Sequence, residues 1–229
     1  MLQYLDDLRP DPCSLPRLHG PWIASWRFLL LLSLLALLPL SARLDAALPK
    51  QGLTTPQETS LAGQLLVASP RMGDPRFERT VILLVKHDKK GALGITINRP
   101  LGVRPLAMVL ENLGDTVLPG AATVRIFAGG PVQTEIGFVI HSADYDRQET
   151  LRITTDLAVT ASPDVLRDMA RGQGPKKVLV AFGYAGWSAG QLETELARDD
   201  WLVAAADPAL VFDTPRERVW DAAMAQRAQ

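Results

Sequence analysis

The chain has 229 residues, 47% hydrophobic, 21% charged and 6% aromatic, with 24 Lys and Arg against 25 Asp and Glu. Seventeen Gly and seventeen Pro follow no period and the charges form no tail, which excludes collagen-like, coiled-coil and disordered chains and leaves an ordinary globular protein. One run of 11 residues, Phe28 to Leu38, distorts that average.

The run reaches Leu40 if Pro39 is tolerated. Crossing ~30 Å of hydrocarbon takes about 20 helical residues, so it is short for a permanent span. It fits the roughly 7–15 apolar residues of a secretory signal. Arg17 and Arg27 precede it, and Ser41-Ala42 or Ala46-Ala47 follow it, in the order such a signal needs. Adding Trp22, Ile23 and Trp26 would lengthen it into an anchor, with Arg27 snorkelling near one end. Residues 1–48 therefore read as an N-terminal leader, signal peptide or membrane anchor, whose hydrophobic segment 28–40 contacts the membrane. The protein is then membrane-anchored or exported; the alternative is a cytoplasmic one.

Residues 49–60, PKQGLTTPQETS, hold two prolines and no apolar period, and read as a linker. The domain runs over 61–229. The first 60 residues carry five basic and five acidic side chains, which leaves 19 against 20 in the domain. Beyond Lys89-Lys90 and Lys176-Lys177 it has no basic cluster, a poor footprint for direct nucleic-acid binding. The single cysteine, Cys13, precedes the apolar run, so the domain offers no disulfide and no thiolate.

Runs rich in Val, Ile and Leu predict strands at Gln64–Ser69, Thr80–His87, Leu93–Asn98, Val124–Ala128, Gly137–His141, Leu151–Thr154 and Val178–Gly183. Helices are marked by their ends. Pro105 to Asn112 precedes Gly114; Ser162-Pro163-Asp164 opens a helix that Gly172 closes; Gln191–Ala197 follows Gly190; and Thr214-Pro215-Arg216-Glu217 forms a capping box before Val219, Trp220, Ala223 and Met224. The short connection Asp88-Lys89-Lys90-Gly91 favours antiparallel pairing, hence an α+β fold over a doubly wound one.

The sharpest chemical motif is Gly186-Trp187-Ser188-Ala189-Gly190, a G-x-S-x-G between a strand and a helix, the context of a serine-hydrolase nucleophile. In that fold the base histidine comes later in the chain, whereas His19, His87 and His141 all come earlier. Ser188 with Gln191 also satisfies a helix capping box, the preferred reading. His87 and His141 read as solvated strand ends. They lack the spacing of metal ligands, so neither a metal nor a cofactor is expected. Gly91-Ala92-Leu93-Gly94 before Asn98-Arg99-Pro100, and Gly129-Gly130-Pro131, place small residues and rigid turns where chains pass closely. Close packing is the plain explanation. The alternative is a shallow site lined by Asn98, Arg99, Gly129, Gly130 and Trp187.

The stretches GQLLVASP at 63–70, DPRFERTV at 74–81 and GALGITINRP at 91–100 resemble the AlgH/YqgE family of bacterial proteins. Gly129-Gly130-Pro131-Val132, Gly137-Phe138 with His141, Gly183-Tyr184-Ala185-Gly186-Trp187, Gly190-Gln191-Leu192-Glu193, Trp201-Leu202, Phe212 and Trp220 extend the resemblance over nearly all of 61–224. It implies a single α+β domain with a coiled, largely antiparallel sheet flanked by helices. It implies no established reaction, although members are commonly labelled transcriptional regulators. The position matching Ser188 is not fixed as serine in the family. Members usually begin near the equivalent of Leu61, which sets the leader apart, and run further past the equivalent of Trp220. The expectation is a non-enzymatic regulatory or binding domain for a protein or small-molecule partner; the alternative is a hydrolase using Ser188.

Overall fold

The apolar runs become strands of one curled sheet. The computed structural model describes residues 60–115 and 122–227; the leader 1–48, with its segment 28–40, lies outside the described residues. The strands are β1 (Gln64–Ala68), β2 (Val81–Asp88), β3 (Gly91–Thr96), β4 (Pro100–Pro105), β5 (Thr123–Ala128), β6 (Val132–Ser142), β7 (Thr150–Arg152), β8 (Leu157–Thr160), β9 (Val178–Ser188) and β10 (Trp201–Ala205). The helices are α1 (Leu106–Glu111), α2 (Asp164–Ala170), α3 (Gln191–Ala197) and α4 (Val219–Arg227). Among the described residues no helix is long and apolar enough to cross a membrane.

The strand order is β10-β1-β2-β3-β9-β6-β8-β7, with β4 and β5 as a branch on β9. Among the described residues only β5 with β9 is parallel, so the expected α+β architecture with a largely antiparallel sheet is the one that forms. Asp88 and Gly91 face each other across the anticipated β2–β3 connection.

Both faces of the sheet are covered, which is why the strands read as continuous apolar runs and not as alternation. Leu65, Val67, Val81, Leu83 and Ile95 enter the main core with Val219 and Ala223 of α4. Leu66, Ala68, Ile82 and Leu84 pack on the other face with Trp187, Trp201 and Leu192 of α3. Leu106 and Leu110 of α1 and Val165 and Leu166 of α2 cover Val139 and Val180.

β9 joins these layers. Its first half lies between β6 and β5, and its second half pairs with β3. Gly183, at φ +74°, sits between the halves. Leu179 and Ala181 face the main core, Tyr184 continues on that core, and Ala185 and Trp187 turn to the opposite face. A strand changes side-chain parity only through an inserted residue, which the left-handed glycine accommodates.

The structure departs from the sequence reading in places. β4, β8 and β10 had no distinct signal, and β9 continues beyond Gly183. At Thr214 the capping box does not form. The Thr214 hydroxyl donates to the Ala209 carbonyl at 3.2 Å, and a tight turn at Arg216–Arg218 precedes α4.

Candidate functional site

The Gly186–Gly190 segment ends β9 and enters α3, with Gly190 at φ +73° making the sharp turn. The Ser188 N–H donates to Gln191 Oε1 at 3.0 Å, one half of the expected capping box. The other half is missing: Gly190 occupies the cap and no Ser188 hydroxyl bond is made to the helix. Ser188 faces Gly91 on β3, which faces Asp88 on β2. His87, beside Asp88, is therefore two strands away, roughly 9–10 Å at normal strand spacing.

His87 is not the solvated strand end that the sequence suggests, because its side chain is only 8% exposed. Its Nδ1 accepts from the Leu61 N–H at 2.9 Å, so its Nε2 carries the proton donated to Glu193 Oε1 at 2.7 Å. Burial pushes the Glu193 carboxyl up, but the hydrogen bonds from His87 and from its own backbone N–H outweigh it and leave the group below its ordinary value.

Trp187 lines an open cleft of about 550 Å³ with Phe77, Pro131 and Trp201. The indole N–H groups of Trp187 and Trp201 both donate to Glu195 Oε2, each at 2.8 Å. Glu195 Oε1 accepts from Gln191 Nε2 at 2.9 Å. Trp201 meets Trp187 and Phe77 edge to face, with centroids 5.9 and 5.6 Å apart. This wall is rigid because one carboxylate on α3 fixes two rings from two strands. At the rim Asp74 is held by Arg76 at 2.6 Å and Asp200 by Arg198 at 2.7 Å.

Asn98 and Arg99 lie in a second cleft of about 360 Å³, with Pro75, Arg79, Arg216 and Trp220. Asn98 Oδ1 accepts from the Val81 N–H and its Nδ2 donates to the Arg79 carbonyl, both at 2.9 Å. Arg99 donates to the Glu78 carbonyl and the Thr80 hydroxyl. These bonds hold Arg79 at φ +50°, and its guanidinium lies 4.1 Å above the Trp220 ring. Arg216, 8% exposed, donates to the carbonyls of Ile97, Val211 and Thr214. Burial pushes its guanidinium down from its ordinary value, and Arg125 adds to this against Asp213 and Glu217.

The five candidate residues are thus divided. Asn98 and Arg99 share one cleft, while Trp187 faces the other across from Pro131. Gly129 and Gly130 pack on β9: a Cβ on Gly129 would lie 2.2 Å from the Gly183 carbonyl oxygen, and one on Gly130 only 2.0 Å from the Tyr184 carbonyl carbon. Sequence reasoning missed Glu195, Trp201 and Arg216. The i, i+4 pair Gln191 and Glu195 was a visible signal for the first.

His141 also corrects the sequence reading. It is fully buried, its Nδ1 donates to the Ser142 carbonyl at 2.9 Å, and its Nε2 accepts from the Thr160 hydroxyl at 2.9 Å. Burial pushes it below the usual histidine value. Nearby, buried Asp168 accepts from the Tyr145 hydroxyl at 2.8 Å and from Arg147 at 2.6 Å. His87 and His141 are in separate environments, and among the described residues no group of three potential metal ligands occurs.

A family model described as AlgH-like matches residues 65–228. The chain belongs to the AlgH-like family. The AlgH protein of Pseudomonas aeruginosa PAO1 is 48% identical over 170 residues, covering 73% of this chain and 89% of that protein. A Rhodospirillum rubrum relative is 47% identical over 167 residues, covering 73% and 87%. The solution structure of P. aeruginosa AlgH superposes on this AlgH-like chain with a TM-score of 0.65 over 74% of this chain and 89% of that one. A Corynebacterium diphtheriae crystal structure, 24% identical, shares the fold with a TM-score of 0.58 over 75% and 88%.

Proposed function

We propose that this AlgH-like chain is a non-enzymatic binding domain of regulatory type, and that the Trp187 cleft is its contact surface for a protein or small-molecule partner. The observation that carries the reading is the Glu195 carboxylate joining two indoles into a fixed aromatic wall beside an open cleft. Fixed aromatic side chains give contact area at low entropic cost, which suits recognition.

The cleft is poorly equipped for proton transfer. Each carboxylate that lines it already has a donor: Asp74 has Arg76, Asp200 has Arg198, and Glu195 has the two tryptophans and Gln191. Among the described residues Ser188 has no histidine within reach, and the only lone pair on the His87 ring is used by the Leu61 N–H. Labelling with a fluorophosphonate probe separates this reading from a hydrolase. No covalent adduct is expected, and labelling that Ser188→Ala abolishes would overturn the proposal.

The leader supplies the location in this reading: segment 28–40 anchors or exports the domain, with a cytoplasmic protein as the alternative. N-terminal sequencing of the native protein from separated membrane and soluble fractions distinguishes the three cases.

A further inference from the structure

Arg216 is a buried cation that no carboxylate among the described residues touches: Asp213 and Glu217 act on it only from a distance. Its guanidinium reaches three backbone carbonyls, and among the described residues no carboxylate lies within ion-pair distance. Three of its five N–H donors are used in those contacts, which leaves two. Arg99, in the same cleft, is likewise without a carboxylate partner, and its Nε and Nη1 donors have no acceptor among the described residues. A buried guanidinium is costly unless a counter-charge meets it. That cost falls on Arg216, in the tight turn just before α4, where Arg125 adds to it; Arg99, between β3 and β4, is exposed and adds its open donors from the water side of the cleft.

We propose that this cleft binds a phosphate group, held by the open donors of Arg99 and Arg216. Two unpaired guanidinium groups match the charge of a phosphate dianion and its several acceptor oxygens. Arg79 supplies a third positive charge at the mouth; its pair with Asp221 is exposed on both sides, so it exchanges readily. The carboxylates of Glu78 and Glu217 also border the cleft, but both residues are exposed and screened by water. Pro75 and the Trp220 ring form an apolar side wall, and a volume of about 360 Å³ leaves space for a small organic group beside the phosphate. The near-neutral domain, with 19 basic against 20 acidic side chains, offers no track for a polyanion, so the ligand is small. This cleft shares no lining residue with the Trp187 cleft.

The test is calorimetry with ³¹P NMR on the full-length protein, titrated separately with inorganic phosphate and with phenyl phosphate. At least one is expected to bind with a dissociation constant below about 10 mM. Phenyl phosphate binding roughly fivefold more tightly assigns a phosphate monoester, and equal or weaker binding assigns the free ion; either upholds the site. Arg216→Gln removes three ties to the backbone and Arg99→Gln only the one to the Glu78 carbonyl, so Arg99 is the deciding position, with an unchanged melting curve required of its variants. Arg99→Gln should weaken binding roughly tenfold, with Arg99→Lys in between because it restores charge without the fork. Absence of binding by both probes, or unchanged affinity in Arg99→Gln, overturns the proposal. Loss of binding in Arg76→Gln with Arg99→Gln unaffected overturns it too, since that places the anion in the other cleft.

Discussion

Gly130→Ala tests whether the Gly129-Gly130 crossing over β9 sets the geometry of the domain. A Cβ at Gly130 would sit 2.0 Å from the Tyr184 carbonyl carbon, 2.2 Å from its oxygen and 2.4 Å from the Ala185 nitrogen. Non-bonded carbon atoms settle at about 3.5–4.0 Å, so a gap of roughly 1.5 Å must open. All three obstacles are backbone atoms of a central strand, and no side chain can swing away to make the space. Overpacking typically costs about 1–3 kcal/mol, and a required backbone shift puts this substitution at about 3 kcal/mol or above. In a domain of this size each kcal/mol moves Tm by roughly 2–4 °C, so the melting temperature should fall by about 6–12 °C. Gly73→Ala is the control: nothing lies within 4 Å of its added Cβ and its φ is not left-handed. It should be neutral or stabilise by up to about 1 kcal/mol through the unfolded state. Calorimetry and urea unfolding of both variants give the comparison. A Gly130→Ala melting temperature within about 2 °C of the parent would refute the packing argument.

Two further predictions concern buried polar groups. Glu195→Leu leaves the Trp187 and Trp201 indole N–H groups without their acceptor, at about 1–3 kcal/mol each, so urea unfolding should show a loss of roughly 2–5 kcal/mol; Glu195→Gln, which keeps an acceptor oxygen, should lose less than half of that. His141 has a folded-state pKa depressed by burial. The unfolded chain therefore takes up its proton first as pH falls, and stability that is full above about pH 6.5 declines below it towards the folded-state pKa. The urea midpoint should fall between about pH 7.5 and 5, and His141→Gln should flatten that fall; parallel pH profiles for the two proteins would show that another group is responsible.

The fold was legible where a single segment carried its own signal. The apolar runs at 64–69, 80–87 and 178–183 are strands because both faces of the sheet are covered, and the turn chemistry at 88–91 does make an antiparallel connection. β4 and β10 escaped notice for different reasons: β4 is bounded by Pro100 and Pro105 and largely exposed, and β10 opens with Trp201 directly after the polar end of α3. The histidines were misjudged because strand position does not report what packs over a side chain. His87 is covered by Leu61 from before β1 and by Glu193 from α3, contacts separated by 26 and 106 residues. Glu195 and Arg216 have local partners too, Gln191 for the first and Val211 and Thr214 for the second, but the contacts that give them their roles, the two indoles and the Ile97 carbonyl, come from other elements. Arg99 could be picked out beside Asn98, but its distance from Trp187 could not be seen, because the residues that separate the two clefts belong to a turn 20 positions earlier.

That turn, Asp74 to Thr80, is the common wall of the two clefts. Phe77 faces Trp201 on one side, and Pro75, Glu78 and Arg79 border Arg99 on the other. It begins with Asp74 accepting from the Arg76 N–H at 2.9 Å, which caps a single tight turn at Pro75–Phe77. It ends with Arg79 at φ +50°, a conformation that costs a non-glycine residue about 1–2 kcal/mol. Two bonds from Asn98, together with Arg99 on the Glu78 carbonyl, can offset that cost, at about 1 kcal/mol net for each bond. The DPRFERT and NRP segments are therefore parts of one device. The first builds a strained turn and the second, from the far end of the β2–β3 pair, holds it.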